Sequence, residues 1–333
     1  MLFTNMVGVD LGTDTLKLRD RSGEKFMEIR NMIAMRGSKV LAIGDEAYEM
    51  YEKNPVDVRV IRPMVNGVIA YSTDMELVLT DALKKFTTFS QKSAGICLAV
   101  ASQVTPVEQR AFFNVMNSTL SPGRVHLVDK GIADAVSIGL PVLSPSGHMI
   151  VNIGADTTEI SVLSDGKVII GRTMKEGGLK LDEDIATMVR RKFNISIGMK
   201  TAAQLKNNLA FMINGPRLEQ KVFGIHTLSG LPKSDMIPAL AVSVSVLGTI
   251  DRIVDEIRSI VDRTPPMIRR DIMKEGIFLT GGVSLLQNLP IYIQKEISLP
   301  VYHIQDPKNS TIRGLVTMIN QKELYPLMRS PRR

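Results

Sequence analysis

The chain has 333 residues, 44% hydrophobic and 23% charged, a balance that supports a packed core and excludes an intrinsically disordered protein. Its 41 basic and 34 acidic residues give a net charge of +7, with no sustained basic stripe interleaved with aromatics, which excludes a nucleic-acid partner. The single cysteine, Cys97, excludes an internal disulfide and points to an intracellular protein.

At roughly 150 residues per domain, the length predicts two domains or one two-lobed unit. No apolar run approaches the ~18–20 residues that span a bilayer. The opening "MLFTNMVGVD" lacks a basic n-region, so the expectation is a cytosolic chain.

In chain order, "NMVGVDLG" reads as a buried strand ending in a glycine turn. "TLKLRD" alternates, placing Leu16 and Leu18 on one face and Lys17 and Arg19 on the other. "AGICLAVAS" (94–102) is a buried strand carrying Cys97 as a small hydrophobe. The helix after it has Thr105 as N-cap, Pro106 at its first position and Glu108 closing a capping box. "VHLVD" is a further strand. "GHMIVNIG" and "TEISVLSDGKVII" form a hairpin-like pair, with Asp165-Gly166 at a second reversal. A helix "LDEDIATMVRRKF" follows Gly177 and Gly178. In "SVLGTIDRIVDEIRSIVDRTPP", Ile250, Ile253, Val254, Ile257, Ile260 and Val261 form one stripe that Pro265-Pro266 ends. "GIFLTGG" is a strand into a glycine turn, with "SLLQNLPIYIQKEI" as the helix behind it. The tail "MRSPRR", with Arg329, Arg332 and Arg333, reads as a solvated terminus. This alternation predicts an α/β protein with sheets flanked by helices.

"VDLGTDT" (9–15) and "VNIGADT" (151–157) share one frame: apolar strand, polar residue, apolar residue, glycine, any residue, Asp, Thr. One copy in each half predicts two lobes of like topology with a ligand cleft touched by both turns. A tight glycine turn after a strand points backbone N–H groups at one spot and binds phosphate without a basic side chain. Three such turns occur: Gly12-Thr13-Asp14-Thr15, Gly154-Ala155-Asp156-Thr157 and Gly281-Gly282-Val283-Ser284. Each is also explained as a plain strand-end turn; the three together favour a nucleotide fold. Asp10, at a strand end, is placed to orient water around Mg²⁺, or simply to cap its turn.

"VGVDLGT", "IRPMVNGVIA" (61–70), "PSGHMIVNIGADTTE", "RRKFNISIGMKTAAQLK", "SGLPK", "TPPMIRRDI" and "GIFLTGGVSLL" together resemble the MreB family, the bacterial actin homologues, in order and spacing over nearly the whole length. The resemblance implies a two-lobed actin-like ATPase fold of ribonuclease H-like duplicated domains in four subdomains. Residues 1–30, 73–148 and 311–333 would form subdomain IA and 31–72 IB. Residues 149–178 and 240–310 would form IIA and 179–239 IIB. It also implies ATP or ADP with Mg²⁺, self-association into filaments or assembly with a paralogous MreB, and a place at the inner membrane face with cell-wall elongation membrane proteins.

Carried over by motif, the nucleotide residues are Asp10, Gly12, Thr13, Asp14, Thr15 and Lys17, then Asn152, Gly154, Ala155, Asp156 and Thr157. Gly177, Gly178, Ala203, Lys206, Gly281, Gly282, Val283 and Ser284 complete the set. Asp10 would meet the metal through water, and Asp129 and Thr157 stand at catalytic positions.

The departures from the family pattern concentrate at the chemistry. The first turn, usually "DLGTANT", is one residue shorter and carries Asp14. Lys17 lies at the offset of a phosphate-contacting lysine in actins, although a solvated strand lysine is the expectation. The second turn, usually "DIGGGTTE", has Asn152 for the acid that places metal-bound water, and Ala155 and Asp156 for two glycines. A carboxylate ~4 Å from a phosphate charge costs about 4 kcal/mol at an effective dielectric near 20, roughly a thousandfold in affinity. The glutamate that positions the attacking water, in "EEP", becomes Asp129 in "DKG". It is one methylene shorter where a ~1 Å shift costs on the order of 100-fold. "AERxKxE" becomes "AAQLKNN", losing both glutamates to Ala203 and Asn208 and keeping Lys206. Val283 replaces the last glycine of "TGGG". The expectation is weak or absent hydrolysis.

Phe86 and Phe89, in "KKFTTFSQK" (84–92), occupy the family's membrane-loop position and form an interfacial anchor, unless Phe86 ends its helix on the core face. Three functions stand: a cytoskeletal filament protein that binds ATP, a non-polymerising pseudo-ATPase serving a competent paralogue, and a small-molecule kinase. The last lacks an obvious catalytic Asp and an inserted substrate domain.

Overall fold

The computed structural model describes residues 6–86, 95–119 and 125–330. It divides into two compact units. One comprises Met1–Ser146, Ser161–Thr173 and Lys308–Arg333, and the other Gly147–Ile160 and Met174–Pro307.

The first unit begins with β1 (Met6–Leu11), buried throughout, and β2 (Thr15–Asp20), which returns antiparallel to it. β3 (Phe26–Arg30) pairs with β2. β4 (Ile33–Arg36), β5 (Lys39–Ile43), α1 (Asp45–Met50) and β6 (Arg59–Ile61) follow, with β4 central in a small antiparallel sheet. The short hairpin β7 (Met64–Val65) and β8 (Val68–Ile69) leads to α2 (Ser72–Phe86), β9 (Gly95–Val100), α3 (Pro106–Thr119), β10 (Val125–Asp129) and α4 (Lys130–Ser137). The main sheet has the order β10-β9-β1-β2-β3. β9 runs parallel to both β1 and β10. Parallel strands are covered on both faces, which is why β9 is an unbroken apolar run and β1 is buried throughout with Asp10 its one charged residue. α2 and α3 supply Met75, Val78, Leu79, Phe112, Val115 and Met116 to the core shared with Val7, Val9, Leu16 and Leu98. The capping box of α3 is present: Glu108 N–H donates to Thr105 Oγ1 (3.3 Å) and Thr105 N–H to Glu108 Oε2 (2.7 Å).

β11 (His148–Ile153) belongs to the second unit, and the chain passes back to the first within β12 (Thr158–Ser164). β13 (Lys167–Met174) follows a two-residue turn in which Asp165 and Gly166 both have positive φ (50° and 70°), the conformation that twists with a hairpin and favours Asp-Gly. The second unit continues with α5 (Gly178–Phe193), β14 (Ile195–Ser196), α6 (Met199–Leu209), β15 (Glu219–His226), β16 (Pro232–Pro238), α7 (Ala239–Arg263), α8 (Pro266–Glu275), β17 (Ile277–Thr280), α9 (Leu289–Ile297) and β18 (Val301–His303). The second five-stranded sheet has the order β13-β12-β11-β17-β18. The six predicted stripe residues of α7 are all buried. The helix expected over 284–297 is split: a 3-10 turn spans Gly282–Leu285 and α9 begins only at Leu289, after Asn288 at φ 62°.

α10 (Ser310–Asn320) returns to the first unit and packs on α4. The buried Asp134 carboxylate accepts Ser310 Oγ (3.0 Å) and Thr311 Oγ1 (2.7 Å), which fixes α4 behind Asp129. No helix among the described residues is long and apolar enough to cross a membrane.

Candidate functional site

The internal echo in the sequence is an echo in geometry. In the first unit Gly12 N–H donates to Thr15 O at 3.0 Å; in the second, Gly154 N–H donates to Thr157 O at 2.9 Å. Each turn joins two antiparallel strands, and each places an Asp at its third position. A Cβ at Gly12 would stand 2.8 Å from Thr15 O, and at Gly154 3.1 Å from Thr157 O, so closure selects the glycine. None of Thr13, Asp14, Ala155 or Asp156 has positive φ. The second turn therefore accepts Ala155 and Asp156 without backbone strain.

In the first unit, Asp10 lies one residue before the end of β1, opposite Lys17 of β2. Its side chain is buried, with Oδ1 lacking a hydrogen-bond partner within the chain. A buried carboxylate oxygen without a partner is costly in isolation and suits a hydrated Mg²⁺, whose waters donate hydrogen bonds. Among the described residues, no group of three or more His, Cys, Asp or Glu is placed to hold a metal ion. Thr13 is buried beside it and Thr15 half-buried.

Lys17 departs from expectation. It is 5% exposed, and its Nζ donates to the carbonyl of Lys308. It joins the two strands to the start of α10 and is not a solvated strand lysine. Asp14 is likewise compensated. Its carboxylate is paired with Arg30 at the end of β3 and with Arg62 (3.5 Å) after β6. The turn is braced by Asn31, whose N–H donates to Asp14 O and whose Nδ2 donates to Gly12 O, both at 2.9 Å. Nothing in the spacing of the sequence marks Arg30, Asn31 or Arg62 as partners of this turn; only "IRPM", which contains Arg62, stood out.

Asp129 ends β10 and precedes α4. Burial holds its carboxyl above the usual range, an effect opposed by the charge and hydrogen bond of Arg329. Arg329 Nη2 lies 2.7 Å from Asp129 Oδ1. The tail is paired to β10 through Leu127 N–H to Arg329 O (2.7 Å) and Arg329 N–H to Leu127 O (2.9 Å). Ser330 Oγ lies 3.1 Å from His126 Nδ1. Arg329 is thus anchored although its side chain is half exposed, because the strand edge supplies backbone partners that the sequence does not display. Arg332 and Arg333 lie outside the described residues. The glycine of "DKG" has a packing reason, since a Cβ on Gly131 would stand 2.5 Å from Ser161 Cβ.

In the second unit, Asn152 is buried on β11, and Thr157 is buried just before β12. Asp156 is half-buried. α5 begins against the turn: Gly178 N–H donates to Gly154 O (3.0 Å) and Leu179 N–H to Ala155 O (2.6 Å). A Cβ at Gly177 would stand 2.8 Å from Gly154 O and 2.9 Å from Ala155 O, so that glycine permits the helix to abut the turn. A Cβ at Gly178 would lie 3.2 Å from Lys206 Nζ and 3.3 Å from Val283 Cγ2. The second turn, the start of α5, Lys206 of α6 and Val283 of the third turn therefore converge on one spot.

Lys206 Nζ is 2.7 Å from Asp182 Oδ1 and donates to Gly178 O at 2.8 Å. Asp182, absent from the sequence reading, ties α6 to α5. Ala203 is half-buried on α6, and the exposed Asn208 donates to Gln220 Oε1 at 3.0 Å. In the third turn Gly281 has φ 83°, and a Cβ there would stand 2.8 Å from Asn152 Oδ1; Gly282 starts the 3-10 turn that follows. The buried Ser284 turns inward, donating to Gly281 O at 2.7 Å, so its hydroxyl shapes the turn and is not free for a ligand.

Of the two membrane candidates, Phe86 is fully buried on the core face of α2. It does not present itself to an interface, because α2 needs its last turn to close the core. Phe89 lies outside the described residues.

Sequence and structure comparisons extend this reading. The model of the MreB/Mbl protein family matches residues 4–325. The chain belongs to the MreB/Mbl family. MreB/Mbl relatives include the cell shape-determining protein Mbl of Bacillus subtilis, 29% identical over 332 residues and covering 98% of both chains. The cell shape-determining protein MreB of Haemophilus influenzae is 32% identical, covering 94% of this chain and 92% of that one. Among solved structures, MreB5 of Spiroplasma citri bound to AMPPNP superposes with a TM-score of 0.90 at 28% identity, covering 96% of this chain and 97% of that one. The ADP-bound form of the same protein gives 0.88 at 29%, covering 93% and 94%. The MamK double helical filament gives 0.79 at 17%, covering 95% and 98%, a likeness of fold alone. The architecture expected from the MreB-like motifs, an actin-like ATPase fold, is the one observed.

Proposed function

We propose that this chain is a cytoskeletal protein of the MreB type that binds ATP or ADP with Mg²⁺ and assembles into actin-like filaments that organise cell-wall synthesis and cell shape. The observation that carries the reading is the pair of matching turns, hydrogen-bonded alike around Gly12 and Gly154, in a chain that superposes over 96% of its length on a relative holding AMPPNP. In the first unit the nucleotide-binding residues are Asp10, Gly12, Thr13 and Thr15. In the second they are Gly154, Ala155, Thr157, Gly177, Gly178, Gly281 and Val283. When bound, Mg²⁺ supplies charge neutralisation at the phosphates, and Asp10 is the residue that orients its waters. Four subdomains, with the boundaries that the family motifs imply, are part of this proposal.

Hydrolysis is slow in this reading. Asp129 is shorter than the family's glutamate, and its Oδ1 is held by Arg329. Asn152 offers no charge to the metal's waters. Lys206 supports the start of α5 rather than approaching the ligand as a free cation. Self-association, a paralogous MreB and wall-elongation membrane proteins are the partners, at the inner face of the plasma membrane.

Titration calorimetry with ATP·Mg²⁺ tests binding, and electron microscopy with and without nucleotide tests assembly. Saturable binding with nucleotide-promoted filaments is the expected result. Binding without filaments at any protein concentration would replace it with a non-polymerising pseudo-ATPase that serves a competent paralogue. No binding at all would remove the nucleotide role.

A further inference from the structure

The acid in the first turn has a second consequence. Two guanidinium groups converge on the Asp14 carboxylate: Arg30, 34% exposed, on Oδ2, and Arg62, 17% exposed, on Oδ1 at 3.5 Å. Each stacks on a tyrosine ring, Arg30 over Tyr48 (4.4 Å to the ring centre) and Arg62 over Tyr51 (5.5 Å), which orients the planes and limits their hydration. Two guanidiniums on one carboxylate leave one positive charge that Asp14 does not balance. Two further acids act at the margin of the cluster: Glu52 acts on Tyr48, and Asp45 Oδ1 accepts the backbone N–H of Arg30 at 3.3 Å.

The donors are also under-used. Arg62 Nε is buried with no hydrogen-bond partner in the chain, and the bond from Arg62 to Asp14 is long. A guanidinium offers five N–H donors in a fork that matches phosphoryl oxygens. A largely buried one with a single long contact is poorly satisfied by Asp14 alone. Lys17, the cation that the family resemblance suggested for phosphate, is held by the Lys308 carbonyl.

We propose that Arg30 and Arg62 form an oxyanion site at the first glycine turn, in which the Asp14 carboxylate is a resident stand-in for a phosphoryl oxygen of a nucleoside triphosphate. The proposal deepens the nucleotide-binding reading above and rests on it for the source of the phosphate. Asp14 and the polyphosphate then compete for the same two guanidiniums. Asp14 keeps the arginines folded and neutralised without ligand, and it lowers affinity with ligand.

The test is equilibrium binding of ATP, ADP, inorganic tripolyphosphate and inorganic phosphate, each with Mg²⁺, to the full chain and to D14N, R30Q, R62Q and R62K. Thermal melts show that each variant is folded, and D14S serves if D14N is not. Expected is about tenfold tighter ATP binding by D14N and about tenfold weaker binding by R30Q and R62Q. R62K should fall between, and ADP should respond less than ATP. Unchanged ATP affinity in the arginine variants, or no gain in D14N, would overturn the proposal and leave the cluster as a clamp on the turn. If the wild-type chain binds no nucleotide while D14N gains tripolyphosphate binding that R62Q removes, the oxyanion site stands and the nucleotide reading falls. Inorganic phosphate binding as tightly as ATP would overturn the nucleotide as its source.

Discussion

Replacing Arg329 by Gln tests whether the C-terminal segment holds the Asp129 carboxylate. The pair is 2.7 Å apart, with Asp129 13% and Arg329 53% exposed. Unit charges ~4 Å apart are worth about 4 kcal/mol at an effective dielectric near 20, whereas fully exposed pairs are worth about 0.2–1 kcal/mol. With one partner buried and the other half in water, the loss in R329Q is about 1–2 kcal/mol near neutral pH. Burial already raises the pKa of Asp129 and Arg329 opposes that rise, so R329Q raises it further. A carboxyl raised by folding favours the folded state when protonated. Its contribution is present in acid, below its unfolded pKa, and is lost as pH rises through its folded pKa. The extra cost of R329Q is therefore full above the folded pKa and fades as acid protonates Asp129. Urea unfolding of wild type, R329Q, D129N and the double variant across this range measures it, with about 1 kcal/mol of coupling expected at neutral pH. Equal loss at neutral and acidic pH, or additive single effects, would refute the reasoning.

Three further outcomes follow from the geometry. Gly281→Ala places a Cβ at φ 83° and 2.8 Å from Asn152 Oδ1; it should cost about 2–4 kcal/mol in urea unfolding and weaken ATP binding. Asp182→Asn leaves the Lys206 charge, 12% exposed, without its partner, and should cost about 3–5 kcal/mol; a melting temperature unchanged from wild type would contradict the role given to that pair. Asp129→Glu restores the longer carboxylate, and phosphate release under saturating ATP·Mg²⁺ should rise by up to about 100-fold, more so in combination with R329Q.

Much of the fold was legible because it is written in local terms. Apolar runs bounded by glycine turns marked β1, β9, β11 and β17, and the period of Ile250, Ile253, Val254, Ile257, Ile260 and Val261 marked α7. Thr105 and Glu108 marked the start of α3. The repeated frame at Gly12 and Gly154 showed that two turns share a shape, since a four-residue turn is a local object. The partners of site residues were not legible. Lys17 and Lys308, Asp129 and Arg329, and Asp14 and Arg62 are 291, 200 and 48 residues apart, and no periodicity connects such pairs. Phe86 shows the same limit: its sequence neighbourhood of lysines suggested an interface, but the register of α2 turns it into the core.

The sequence by itself determined the family, the alternation of strands and helices, and the positions where the glycine turns depart from the family pattern, because these depend on residue identity and short-range spacing. Only the tertiary structure decided what surrounds those residues. It showed that Ala155 and Asp156 cost the second turn no strain, that Asp14 is held by two arginines, and that a tail arginine reaches Asp129. The charge on a side chain is readable from its letter; whether it is paired, buried or available depends on which distant backbone brings a partner within hydrogen-bond reach.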